Sequence, residues 1–367
     1  MSGEGLLLSE KATMNPVSAV VVNFNGGEHI LKSIESMERQ TLPFKEIIVV
    51  DNQSTDGSLN QIRARFPRVQ ILELGKNRGL PAARNAGLRL ATSELVLLNT
   101  YDVYMTPGSL GRLVEAYAES RPSIVCPRVV LYPEMDVVHC DGAALHFVGT
   151  LLLRHGFQPL EDTPPVAAMV DACMGACFLV NRQRVLDAGG FDEALFFYFE
   201  DLEFSMRLRS LGHEIICEPA AVVHHHRGEG TRGVAFRGHG VYPPRRAFLT
   251  MSARLRTMLI HYRTRTLLVL APALALYELA SLAEALRRGW GPQWLRAWWR
   301  QVRTAPDIWT RRRQALGLRT RTDRELLTGG PLPLAPGFIR SPLAEAGVSA
   351  LTKILNCYWQ VAQRWVG

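Results

Sequence analysis

Two carboxylates, Glu200 and Asp201, directly follow the aromatic run Phe196-Phe197-Tyr198-Phe199. Apolar walls desolvate a carboxylate, disfavour its charged form and make it a stronger base. A packed core has little use for a Glu-Asp pair there, so the pair reads as proton-transfer chemistry; the bland alternative is a pair of helix N-terminal charges. Two earlier acids, Asp51 and Asp102, each close an apolar run. The cluster His224-His225-His226 follows a predicted strand, which sets a metal-ligand reading level with that of ordinary surface or core histidines.

The elements needed to gather these residues are legible. Val17 to Asn23 is a β-branched run ended by Phe24-Asn25-Gly26-Gly27. Further strands are expected over Glu46–Val50, Val69–Leu74 and Leu95–Leu98, with helices over His29–Gln40, Leu59–Phe66 and Leu80–Ala91. Strands that are apolar throughout, alternating with helices, predict a mainly parallel central sheet covered on both faces. Ligands collect beyond the carboxyl ends of such strands, and Asn23, Asp51 and Asp102 fall at that edge. Farther on, Ala168–Val180 reads as one apolar segment, Asn181–Ala188 and Glu200–Leu211 as helices, and Glu214–Cys217 and Ala221–His224 as short strands.

At 367 residues, 47% hydrophobic and 21% charged, the chain is long enough for a large domain plus an appendage and is not disordered in composition. The +8 net charge is concentrated late, where Arg dominates and all the tryptophans, Trp290 to Trp365, are found. Trp with Arg on helices is an interfacial pattern, because the rings settle at headgroup level and the cations meet anionic lipid. Nucleic-acid binding is disfavoured, since no recognised module accompanies the basic residues. Thr266–Leu286 has the length to cross a bilayer of ~30 Å, but it carries Pro272, Glu278 and Glu284. An interfacial or re-entrant helix is expected, with a span and a soluble hairpin as alternatives. Trp290–Arg313 continues as an amphipathic stretch, Gly329–Pro342 reads as a loop, and Leu343–Val366 as a final helix. The cysteines lack a paired framework and read as buried reduced thiols, and Met1–Pro16 lacks the pattern of a signal peptide.

Val-Val-Val-Asn-Phe-Asn-Gly at 20–26, Ile-Val-Val-Asp-Asn-Gln-Ser-Thr-Asp-Gly-Ser at 48–58 and Asn-Arg-Gly-Leu-Pro-Ala-Ala-Arg-Asn-Ala-Gly at 77–87 occur in that order. Gly-Gly-Phe-Asp-Glu at 189–193, Phe-Glu-Asp-Leu-Glu-Phe at 199–204 and the histidine cluster extend the series. The combination resembles family 2 glycosyltransferases of the GT-A fold, in a bacterial rhamnosyltransferase-like branch, over about residues 17 to 262. The resemblance implies an α/β GT-A domain at 17–262, after a tail at 1–16. A C-terminal helical, membrane-interfacial region follows at 263–367.

By the same resemblance, Asp201 is the general base of an inverting transfer. Glu200 positions the acceptor or Asp201, and Asp192 helps bind the acceptor or the donor sugar. Asn23, Asn25, Asp51, Arg78, Gly79, Arg84, Asn85, Thr100, Tyr101 and Gly175 are implied to hold the donor; capping and solvation are the competing roles for the arginines and Asn85. Asp102 would hold Mg²⁺ or Mn²⁺ with His225 or His226, of which His226 is preferred. The family's Asp-x-Asp-type motif is altered here, because Thr100 stands at its first acidic position. The implied donor is a dTDP or UDP sugar and the acceptor a glycan or polyprenyl-linked sugar, at the cytoplasmic face of the membrane. A nucleotidyltransferase would also place a carboxylate-bound metal at a sheet edge, but the chain lacks an N-terminal Gly-rich loop followed by Lys. A non-catalytic sugar-nucleotide binder has only Thr100 in its favour.

Overall fold

The apolar strands assemble side by side in a computed structural model that describes residues 16–226, 243–334, 338 and 341–367. The expected tail at 1–16, except Pro16, lies outside the described residues. The strands are β1 (Val17–Asn23), β2 (Glu46–Asp51), β3 (Gln70–Glu73), β4 (Leu95–Thr100), β5 (Val103–Met105), β6 (Ile124–Tyr132) and β7 (Val138–Cys140). They continue with β8 (Ala143–His146), β9 (Thr150–Leu153), β10 (Ala168–Val170), β11 (Cys177–Asn181), β12 (Ile215–His226) and β13 (Leu327–Thr328).

The main sheet runs β10-β12-β6-β11-β4-β1-β2-β3, with β5 on β12 and β7 on β6. The β4-β1-β2-β3 half is parallel, whereas β11 runs antiparallel to both β4 and β6, so the sheet is mixed. Every residue of β1 is buried, and side-chain alternation divides the strands between two cores. Ala19, Val21, Ile47, Val49, Leu95 and Leu97 face one core. Val20, Val22, Ile48, Val50, Val96 and Leu98 face the other. Burial on both faces explains why these strands read as continuous apolar runs.

Two sequence expectations change. Ala168–Val180 is not one element: β10 pairs with β12 at the edge and β11 with β4 at the centre, so the chain must cross between them. Conversely, the two short strands at 214–224 are a single strand, β12, with an irregularity between Glu218 and Val222 that absorbs Pro219. Helices over Gly27–Glu38, Ser58–Arg65, Leu80–Leu90, Arg182–Asp187 and Glu200–Ser210 lie within two residues of the expected bounds. Cys357 is exposed, while the other five cysteines are buried.

The three-stranded sheet β13-β8-β9 packs with the C-terminal helices. Phe147 stacks on Trp359 at 5.0 Å, and the Tyr262 hydroxyl donates to the Phe147 carbonyl at 3.1 Å. The Thr264–Arg287 helix is long and apolar enough to cross a membrane, yet only 17% of its most apolar stretch is buried. Its acids are paired: Glu278 with Arg254, and Glu284 with Arg287 and Arg288. Exposed apolar side chains recur along the following helices, including Leu295, Trp299 and Trp309.

Candidate active site

Sheet register brings the distant motifs together. Asn23 lies opposite Asp51, and Val22 opposite Thr100, so three strand ends share one rim. Asn23 donates to Asp51 at 3.0 Å and to Ser54 at 3.0 Å, while the Ser54 amide and hydroxyl also donate to Asp51. Asn25 accepts from the Thr55 amide at 2.7 Å, tying the first loop to the second. Asn52 accepts from the Arg78 amide at 2.9 Å and donates to the Gly79 carbonyl at 3.1 Å. Asn52 is a further functional residue, and its position directly after the strand-ending Asp51 is the one signal of this role in the sequence.

The carboxylate pair starts the Glu200–Ser210 helix. Tyr198 and Phe199 both have positive φ, 65° and 62°, a conformation side chains adopt at a cost when the surroundings enforce it. Gly79 supplies part of that enforcement: a Cβ there would come within 2.3 Å of the Phe196 carbonyl oxygen, which accepts from the Leu80 amide. Asp201 accepts from the Gly175 amide and the Leu202 amide, both at 2.9 Å. A Cβ at Gly175 would sit 3.0 Å from the Glu200 carboxylate, so glycine permits this approach. Thr100 in turn bonds to the Ala176 carbonyl at 3.0 Å, fixing that loop against the end of β4.

Arg84 lies beneath the pair. Its guanidinium is fully buried, 3.3 Å from Glu200, bonded to the Gly175 carbonyl and stacked near Phe178 and Phe191. Burial raises the pKa of both Glu200 and Asp201. At Glu200 the charge of Asp201 adds to the rise, while Arg84 and the amides oppose it. The pair is therefore a stronger base than exposed carboxylates.

Across the cleft, β12 runs antiparallel to β5 and sets His225 opposite Val103. His225 Nε2 lies 3.6 Å from Asp102, and its Nδ1 lies 3.3 Å from His139 Nδ1. Burial pushes the Asp102 carboxyl up, but His225 and the Thr100 hydroxyl more than offset it and hold it below the ordinary value. His226 points the other way, since neighbours on a strand alternate faces. It stacks on His29 at 4.2 Å and packs near Tyr132. The metal expectation thus moves from His226 to His225. An acid, an imidazole and a nearby hydroxyl suit Mg²⁺ or Mn²⁺, whose other positions are commonly filled by phosphate and water. Among the described residues, no group of three or more His, Cys, Asp or Glu forms a ready metal cage.

A cleft of about 770 Å³ is bordered by Gly79, Thr100, Tyr101, Asp102, Gly175, Glu200, Asp201 and His225. Four expected contact residues are turned away from it. Arg84 is committed to Glu200, and Asn85 to the Phe191 carbonyl and Glu193. Arg78 pairs with Glu193, and Asp192 with Arg256 and Arg311. Asp192 therefore joins the catalytic half to the C-terminal helices, and Arg84 and Asn85 support the site from below. Asn23, Asn25 and Asp51 shape the rim without bordering the cleft directly. Its remaining wall was not foreseen: Leu151, Leu152 and Leu153 from β9 with Leu332 and Leu334, and Arg245 and Arg246 at Phe196 and Tyr198.

Residues 18–139 match the model of Glycosyl transferase family 2. The chain is 27% identical over 234 residues to an N-acetylglucosaminyl-diphospho-decaprenol L-rhamnosyltransferase of Mycobacterium tuberculosis, covering 58% of this chain and 76% of that protein. It is 27% identical over 198 residues to an amylovoran biosynthesis glycosyltransferase of Erwinia amylovora, covering 51% and 66%. In fold it matches GalNAc-T7 solved with UDP, GalNAc and Mn²⁺, with a TM-score of 0.57 at 17% identity over 74% of this chain. The chain spans about half, 52%, of that structure's length. A mannosyltransferase from Pyrobaculum calidifontis, in complex with GDP-Man and Mn²⁺, matches over 96% of this chain and 84% of its own, with a TM-score of 0.51 at 17% identity. The fold is GT-A. Over residues 18–139 the chain thus matches family 2 glycosyltransferases, and its relatives, a rhamnosyltransferase among them, support glycosyltransferase activity.

Proposed function

We propose that the protein is an inverting transferase that moves a hexosyl or deoxyhexosyl unit, rhamnose among the candidates, from a nucleoside-diphosphate sugar to a lipid-linked or polysaccharide acceptor. The observation that carries this reading is the bordering of one cleft by both Asp102–His225 and Glu200–Asp201. Asp201 takes the proton of the acceptor hydroxyl, whose oxygen forms the new bond to the anomeric carbon. The bond from that carbon to the diphosphate oxygen breaks on the opposite side, and the nucleoside diphosphate leaves with the electron pair. A divalent cation held by Asp102 and His225 would neutralise charge on that leaving group. Glu200, backed by Arg84, orients Asp201 and the acceptor. Thr100, Tyr101, Gly79 and Gly175 border the donor side, and a dTDP or UDP sugar is the donor class we favour.

The catalytic unit comprises residues 17–262, and 263–367 forms a membrane-facing helical region. Exposed Leu279, Leu286, Trp299 and Trp309 support peripheral attachment at the cytoplasmic membrane face, and the relative that uses a decaprenol-linked sugar supports a lipid-linked acceptor. Incubating the protein with a panel of nucleotide sugars, Mn²⁺ and lipid-linked acceptors tests the reading. Release of nucleoside diphosphate with sugar transfer is expected. Pyrophosphate release, or binding of every donor with no turnover, would contradict it.

A further inference from the structure

A second cavity, of about 750 Å³, adjoins the catalytic cleft, and Arg245 borders both. Its wall includes Arg296, Arg300 and Arg303 with Trp299 and Thr304, and among the described residues no acid lines it. The three arginines of the Gly291–Arg303 helix follow i, i+4, i+7 spacing, so they share one face. Leu295, Trp299 and Val302 repeat that spacing one position earlier and are 64%, 61% and 61% exposed. A basic stripe therefore runs beside an apolar one along the same helix.

The basic groups are not consumed by the fold. Among the described residues no acid pairs with Arg245, Arg296 or Arg303. Arg300 donates to the Ala194 carbonyl at 2.6 Å and retains its charge without a carboxylate directly bonded to it. Four guanidinium groups around one cavity repel one another, and a multiply charged anion would relieve that repulsion while offering geometry guanidinium groups recognise. The adjoining apolar stripe calls for a ligand that is also a hydrocarbon. The bridge through Arg245 calls for one that continues into the catalytic cleft, whose aromatic entrance Arg245 contacts over Phe196 at 5.2 Å.

Resting on the lipid-linked acceptor reading above, we infer that this pocket receives the diphosphate of an isoprenoid-diphosphate acceptor, with its sugar reaching Glu200–Asp201 and its isoprenoid lying along Leu295, Trp299 and Val302. The acceptor's phosphates and the headgroups of an anionic bilayer share the same chemistry. Continuity with the cleft selects the acceptor, and the test separates the two.

Farnesyl diphosphate is titrated against the full chain by tryptophan fluorescence with the donor site saturated by UDP, and farnesol serves as the uncharged control. Farnesyl diphosphate is expected to bind the wild type and Asp201→Asn alike. Arg296→Gln/Arg303→Gln should bind it at least tenfold more weakly while keeping its thermal stabilisation by UDP. Unchanged affinity in the double variant, or an equal loss for farnesol, would overturn the assignment. So would a loss confined to phosphatidylglycerol vesicles, which would make the pocket a reader of the bilayer. The readout needs no turnover. Selective loss of farnesyl diphosphate binding in a protein that transfers no sugar would sink the transferase reading alone, whereas normal transfer with an unaffected double variant would sink the pocket alone.

Discussion

The sheet rim and the C-terminal helices handle charge in opposite ways. At the rim, charged and polar groups are buried and partnered: Arg84 with Glu200, Asn23 with Asp51, and Gly175 with Asp201. Along part of the C-terminal helices the opposite holds: Trp299 and Trp309 are 61% and 55% exposed, beside exposed Leu295 and Val302, while Trp290 and Trp359 pack inside. The rim spends folding energy on fixed geometry, as bond-making requires. The helices present composition, which suits a fluid partner that needs no register. Asp192 joins the two regions, accepting from Arg256 at 2.9 Å while Arg256 also holds Asp307.

The contrast can be broken first at the metal. Chelation, or Asp102→Asn, is expected to lower transfer by about 10²-fold or more, with Mn²⁺ restoring only the chelated wild type; chelator-insensitive turnover would remove the cation from the account. Next is Arg84→Met, which strands Glu200 in a buried setting. A loss of about 3–5 kcal/mol in urea unfolding is expected, against a near-neutral result if the rim tolerates change as a surface does. The third sharpening is pH. Burial raises both members of the pair, and the base works only when deprotonated. Transfer should therefore rise with pH, with a midpoint above the ordinary carboxylate value of about 4. A kcat/KM profile already flat from about pH 4 upward would refute a raised base. The smallest effect is expected at the helices: Trp299→Ala should weaken binding to anionic vesicles by about tenfold, the worth of roughly 1.4 kcal/mol of buried ring. No change in co-sedimentation would show that the ring is not inserted.

The same contrast governs what could be read from the amino acids. β1, β2 and β4 were legible because both faces are buried, Asn23 and Asp51 because they end two of those strands, and Asp102 because it lies in the turn just past the end of β4. The segment 103–167 was not, since β6 contains Pro127 and Arg128, and Arg128 is neutralised by Asp141 at 2.6 Å through contacts invisible to periodicity. His226 was preferred over His225 because adjacent identical residues carry no phase; only pairing with β5 decides which one faces Asp102. Arg84 read as a donor contact because nothing local reveals that a cation on the Leu80–Leu90 helix lies under a carboxylate more than a hundred residues away. The Trp/Arg character of the tail was plain from composition, but its pairing of Glu278 with Arg254 required the fold.

Proton removal and leaving-group stabilisation occur across one cleft, and a donor-binding and turnover measurement on Asp201→Asn tests this most directly. The variant is predicted to keep donor- and Mn²⁺-dependent thermal stabilisation while transfer falls by roughly 10²–10⁴-fold. Transfer at the wild-type rate, or loss of donor binding together with turnover, would contradict it.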